Sequence, residues 1–152
     1  FPNQFDNQSL HISWDNFNRL ELIDPACDLT ITGTQDSDPI TLGNISLGVV
    51  ARKLTVPVNL QADAFEANVR DSLRLDQQLS VNHLDLRVFG DNQNLTITQP
   101  VSATSMQFVA PDGTISMPGG TQLSGHTAVI KARQLMTTSG KLDLSVDQLT
   151  VV

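Results

Sequence analysis

The chain has 152 residues, 39% hydrophobic and 16% charged side chains and a formal net charge of −7, a length suited to one packed core. No apolar run approaches the roughly 18 residues of a membrane-spanning helix, and the lack of any Lys/Arg cluster argues against nucleic acid and anionic membrane surfaces as partners. Fourteen Asp stand against two Glu, beside ten Asn, fourteen Thr and twelve Ser, a palette of turns and pleated faces that argues against a helical protein.

The chain begins Phe1-Pro2-Asn3, with no methionine and no signal-like segment, as expected of a processed mature form or an excised piece. Period two, the mark of strands with one buried face, starts at Leu10, Ile12 and Trp14. Trp14 shares a face with Leu10 and Ile12 and is therefore expected to be buried. Leu20 and Leu22 follow, then Leu29 and Ile31 alternating with Thr30 and Thr32. After a polar break at 35–39 the pattern resumes at Ile40, Leu42, Ile45, Leu47 and Val49, with a skipped beat at Gly43-Asn44 that predicts a turn or bulge. Leu54, Val56, Val58, Leu60, Ala62 and Ala64 form the longest alternating run. Pro57 interrupts it and cannot donate to a ladder, which places that strand at an edge or at a bulge.

Two readings fit 61–74. Phe65, Val69 and Leu73 recur every four residues, with Glu66 four before Arg70, as in a helix. Alternatively the strand continues with a phase change at Ala64-Phe65, turns near Asp71-Ser72 and resumes at Leu73 and Leu75. Alternation then returns at Leu79 and Val81, at Leu84, Leu86 and Val88, and at Leu95 and Ile97. From Met106 onward, short strands and Gly-bearing turns such as Pro111-Asp112-Gly113 and Pro118-Gly119-Gly120 succeed one another every 8–12 residues or so, the spacing of a sandwich, a roll or a solenoid of short rungs. Two short matches hint at duplication. Leu79-Ser80-Val81 with Leu84 returns as Leu144-Ser145-Val146 with Leu149, and Leu29-Thr30-Ile31-Thr32 returns as Leu95-Thr96-Ile97-Thr98.

Residues that could carry chemistry are sparse. His11, His83 and His126 form no two-histidine metal motif, and there is no G-x-S-x-G elbow. Asp36-Ser37-Asp38 and the 91–94 stretch could offer oxygens to calcium but lack the frame of an EF-hand, so solvated turns are the better reading. Cys27, the single cysteine, reads as a small semi-buried residue at a turn, with a reactive or intermolecular thiol as the alternative. Sequons at Asn7, Asn44 and Asn94 would permit glycosylation in a secreted protein.

The stretch GTISMPGGTQLSGHTAVIKARQLMTTSGKLDLSVDQLTVV, with its A-x-x-L and T-x-G-K-L-x-L steps, resembles the repeating strands of periplasmic lipopolysaccharide-export proteins of the OstA/LptC-like group. LHISWDNFNRLELIDPACDLTITG and LTVPVNLQADAFEANV are similar to N-terminal strands of AsmA-like lipid-transport proteins. That resemblance implies an open, groove-like β-jelly roll that shields acyl chains and docks end to end with similar partners.

The expected fold is therefore all-β: an antiparallel β-sandwich, jelly roll or β-roll of short strands in one domain over 1–152, with at most one short helix near 61–74 and a weak two-unit repeat over 22–86 and 87–151. Short links between strands favour antiparallel pairing. The expected function is a non-enzymatic extracytoplasmic module, periplasmic, secreted or at a surface, needing no cofactor or metal, with an anchoring segment outside this sequence as one option. It is either a structural and interaction component of a cell-envelope assembly or a lipid-handling groove, with a ligand-binding or adhesive sandwich as the alternative. Met106, Phe108, Ile115 and Met117 would form an adaptable apolar wall for acyl chains. Leu142, Leu144 and Val146 mark an edge strand that alternates with no polar stop, suited to pairing with envelope or assembly proteins or with itself.

Overall fold

Alternation of apolar and polar residues buries one side of each strand, and this chain satisfies that demand by winding rather than folding back. The computed structural model describes the backbone of residues 11–15, 19–32, 38–90, 93–118, 121–137 and 143–152, and the side chains of these from residue 19 on, except 143. Among the described residues there are ten strands and no helix: β1 (His11–Asp15), β2 (Arg19–Thr30), β3 (Ile40–Thr41), β4 (Ser46–Val56), β5 (Leu60–Leu75), β6 (Leu79–Val88), β7 (Asn94–Ile97), β8 (Val101–Ser116), β9 (Gln122–Met136) and β10 (Asp143–Val151). β1 pairs antiparallel with β2, and every other described pairing is parallel. The result is a parallel β-solenoid of about 5 turns.

Three ladders run the length of the stack. The first, face A, aligns Leu20, Leu47, Phe65, Leu84, Met106, Ala128 and Leu149 in one column and Leu22, Val49, Ala67, Leu86, Phe108, Ile130 and Val151 in the next. Face B aligns Leu29, Leu54, Leu73, Leu95, Ile115 and Leu135. Face C aligns Ile40, Leu60, Leu79, Val101, Leu123 and Leu144. These columns point inward and form the core, in which Phe65, Leu86, Leu95, Phe108, Ile115 and Leu123 have no exposed surface. One coil cannot bury its inward side chains alone, so each is stabilised by its neighbours, at roughly 1.5–3 kcal/mol per large side chain taken from water.

This architecture overturns the expected antiparallel sandwich, jelly roll or β-roll, and with it the open jelly roll that the resemblance implied. The links are short, but successive strands belong to different faces. The parallel partner of each strand lies one coil away, about 20 residues along the chain. The long crossover that a parallel pair requires is supplied by the other two faces of the coil.

The helix near 61–74 is absent as well, because this segment is β5. Phe65, Val69 and Leu73 are all buried, but Phe65 and Val69 lie on face A and Leu73 on face B, beyond a corner marked by a register shift. The alternative strand reading is the one realised: Ala64 and Phe65 are both buried where the phase changes, and the chain turns at Asp71-Ser72. Pro57 stands at the corner between β4 and β5, outside both ladders. Gly43 has φ +61 in the predicted turn before β4. The burial expected of Trp14 concerns a side chain outside the described residues.

The two internal sequence matches occupy equivalent positions in the stack. Leu79, Ser80 and Val81 share columns with Leu144, Ser145 and Val146 three coils later, and Leu29 shares a column with Leu95, also three coils later.

Candidate functional site at the last coil

The two ends of the stack differ. At one end the antiparallel β1 covers β2 along face A, with His11 against Ile23 and Asp15 against Arg19. At the other, β10 is the outermost strand and pairs, among the described residues, only with β9. Its inward side chains continue the core columns, and among the described residues no further strand lies beyond them. Leu149 is 42% exposed, Val151 59% and Leu144 36%, and Leu135 and Met136 on face B of the same end are 38% and 46% exposed. Val146 is half-buried against the core.

The backbone of this edge has a definite parity. On face C the inward residues direct their N–H groups toward the following coil, as Leu60 N donates to Gln78 O and Leu79 N donates to Pro100 O. Carried along the same columns to β10, Leu144 and Val146 present donors and acceptors to the open side while Ser145 bonds back to β9. On face A, Val152 N donates to Ile130 O, so the alternate residues Leu149 and Val151 face the open side. Apolar side chains and free backbone groups therefore belong to the same four residues. No Lys or Pro blunts this edge, since 143–152 contains neither. Its described charge is Asp147, whose Oδ2 lies 2.7 Å from Nδ1 of His126. Of the three residues expected to mark the edge, Leu144 and Val146 lie on it, and Leu142 lies outside the described residues.

The four residues expected to line an acyl-chain wall are placed differently. Met106, Phe108, Ile115 and Met117 are 0–2% exposed and pack within the solid columns of faces A and B. Met106 alone borders a surface groove, through the outer side of face A.

That groove, about 290 Å³, is lined by Glu66, His83, Asp85, Ser105, Gln107 and Thr127 among others, and a smaller hollow of about 140 Å³ beside Arg19, Glu21 and Gly48 shares Glu66 with it. Their charges are internally matched. Arg19 Nη2 donates to Glu66 Oε2 at 2.9 Å and Arg19 Nε to Glu21 Oε1 at 2.7 Å, while Arg87 grips Asp85 through two bonds of 2.8 and 2.9 Å. His83 Nδ1 lies 2.8 Å from Ser105 Oγ, a pair assembled by adjacent coils from residues 22 apart that sequence reading left separate. This pair is exposed on the outer side of face A, on strands laddered to their neighbours in the stack.

Three residues of β2 carry unusual environments. Cys27 is buried, and burial, reinforced by the carboxylates of Asp24 and Asp28, holds its thiol above the usual range and so protonated. Asp28 receives two bonds from Arg52, which lower its carboxyl below the ordinary value. Asp24 is buried in the inward column of Ala51 and Val69, with Oδ1 accepting from Ala26 N at 3.0 Å and Oδ2 unpartnered among the described residues. Residues 36–37 and 91–92 of the two candidate calcium stretches lie outside the described residues. Among the described residues no three His, Cys, Asp or Glu side chains gather as a metal site would require. Compared with family models, curated proteins and solved structures, the chain matches none.

Proposed function

We propose that this chain is a non-enzymatic structural and interaction module, a stiff stack of β-coils that joins other β-structure through its last strand. One observation carries the reading: among the described residues, the outer backbone donors and acceptors of β10 have no strand partner, on the same residues, Leu144, Leu149 and Val151, whose side chains extend the core columns to the surface. Edges of this kind recruit further strands unless lysine or proline opposes it, and residues 143–152 contain neither. The apolar residues that could have shielded acyl chains are spent inside the stack, which favours interaction over lipid carriage.

The test uses the folded chain and a fluorescent peptide with the sequence of β9, the strand that β10 already accepts on its inner side. Saturable binding, abolished in the double variant Leu149→Lys/Val151→Lys, is expected. Absence of both peptide binding and any self-association would overturn the proposal.

A further inference from the structure

Winding brings together cations that the sequence keeps apart. Seven of the eight Lys and Arg side chains among the described residues lie along the edge where face A turns into face B, Arg19 being the exception. We infer that this edge binds a linear acidic glycan, laid along the stack with its carboxylate or sulfate groups on the cations. The inference goes beyond the strand-joining role and makes no use of β10.

The edge is built coil by coil. Arg52 and Lys53 stand where β4 bends, and Arg70 occupies the same bend of β5, at the register shift between the two strands. Phe89 comes next: its N–H donates to Val69 O at 3.0 Å, which seats it beside Arg70, and it is 54% exposed. On the face A side, Arg87, Val109 and Lys131 form one outward column, and Arg133 follows at the bend of β9. Arg74 flanks the edge on face B. Neighbouring strands lie about 4.8 Å apart, so the stripe from β4 through β5, β6 and β8 to β9 runs for about 19 Å.

Part of this charge is already committed. Arg52 is bonded to Asp28, Arg74 to Asp76 and Arg87 to Asp85. Lys53, Arg70, Lys131 and Arg133 are exposed and make no ion pair among the described residues. Asp71 and Asp112 are the other described carboxylates at the surface of this edge. The unpaired cations outnumber them, in a chain whose net charge is −7.

Shape and charge together select the partner. A wide anionic surface resting here, such as a membrane, would also face the acidic remainder of the molecule, whereas a chain one residue wide stays over the cations. The guanidinium forks of Arg70 and Arg133 can each grip an acidic group through two N–H bonds. Single-stranded nucleic acid is held by a series of stacked bases, but this edge offers a single exposed aromatic among the described residues, Phe89, which suits the apolar face of one sugar ring.

Fluorescent oligosaccharides of heparin and of polygalacturonate, titrated with the whole chain and followed by anisotropy, test the inference. Saturable binding is expected at low salt, weakened about tenfold or more between about 50 and 200 mM salt, with no binding of neutral dextran. Lys131→Glu/Arg133→Glu and, separately, Arg70→Glu are expected to lose about tenfold or more in affinity with unchanged strand spectra, while Arg19→Gln binds as the native chain does. The two edge variants alter different coils, so misfolding of one leaves the other to decide. Binding of one glycan and not the other supports the inference and identifies the acidic group. Failure to bind either glycan at low salt, equal affinity in the native chain and a folded edge variant, an equal loss in Arg19→Gln, or binding of dextran would overturn it. Tighter binding of single-stranded DNA or of phosphatidylserine vesicles than of the glycans would overturn it as well.

Discussion

Arg19 reaches over a whole coil to hold Glu66. The guanidinium starts on β2 and its Nη2 lies 2.9 Å from Oε2 of a residue on β5, with β4 between them. Gly48 stands on β4 between Glu21 and Glu66 in the outward column that the guanidinium crosses, and a Cβ there would sit 2.7 Å from the same Nη2. The missing side chain is what lets the arginine lie flat across the sheet.

Gly48→Ala is accordingly expected to displace the tip of a flexible side chain and little else. Both partners are partly exposed, so the lost ion pair should cost about 0.2–1 kcal/mol, and the loss should shrink further in high salt. Urea denaturation of Gly48→Ala and of Glu66→Gln, singly and combined, checks this: the two changes should be strongly non-additive because they remove one interaction.

The same substitution at Gly125 should behave oppositely. A Cβ there would land on the carbonyl oxygen of Ala103 in the coil beneath, and a ladder backbone cannot rotate aside as a guanidinium can. Overpacking of this kind costs about 1–3 kcal/mol, so the urea midpoint of Gly125→Ala should fall well below that of Gly48→Ala. Equal midpoints would refute the backbone contact.

Asp28 and Arg52 predict a pH dependence of known sign. Hydrogen bonding to Arg52 holds the folded carboxyl below its unfolded value of about 3.9, so the pair stabilises the fold above that pH and its contribution disappears as the pH falls through the lower folded value. Thermal melts of the native chain and of Asp28→Asn should therefore differ slightly at pH 7 and converge toward pH 2. Because both side chains are about half exposed, 1 M salt should narrow the difference at pH 7.

Cys27 should be inert while the coil is closed. Its thiol is buried and held protonated, first by burial and then by Asp24 and Asp28, so a disulfide reagent at pH 8 should modify it far more slowly in the native chain than in urea. Rapid modification under native conditions would mean that β2 opens locally.

Most side-chain directions are legible in the sequence because they follow period two. Leu54, Val56, Val58, Leu60, Ala62 and Ala64 alternate as one series and all six are buried, although Ala64 stands in the outward column of His83 and Ser105. What could not be read was that the series turns a corner at Pro57, since a strand that continues and a strand that bends into the next face show the same alternation. The matched segments at 79–84 and 144–149 carried a trace of the coil, but they stand three coils apart. Adjacent coils differ in corner length, and no fixed period is left to find: Ser46 to Ala64 to His83 to Ser105 is one column with unequal steps.

The sequence by itself determined that this is an all-β chain, where apolar and polar residues alternate along it, and that the segment 142–152 alternates without a polar stop. Tertiary structure alone decided that the ladders are parallel, that Met106, Phe108, Ile115 and Met117 are enclosed, and that Leu149 and Val151 are not. The reason is physical: alternation specifies which way a side chain points, whereas burial requires a neighbouring strand, and the neighbour of every coil lies a full turn away in the chain.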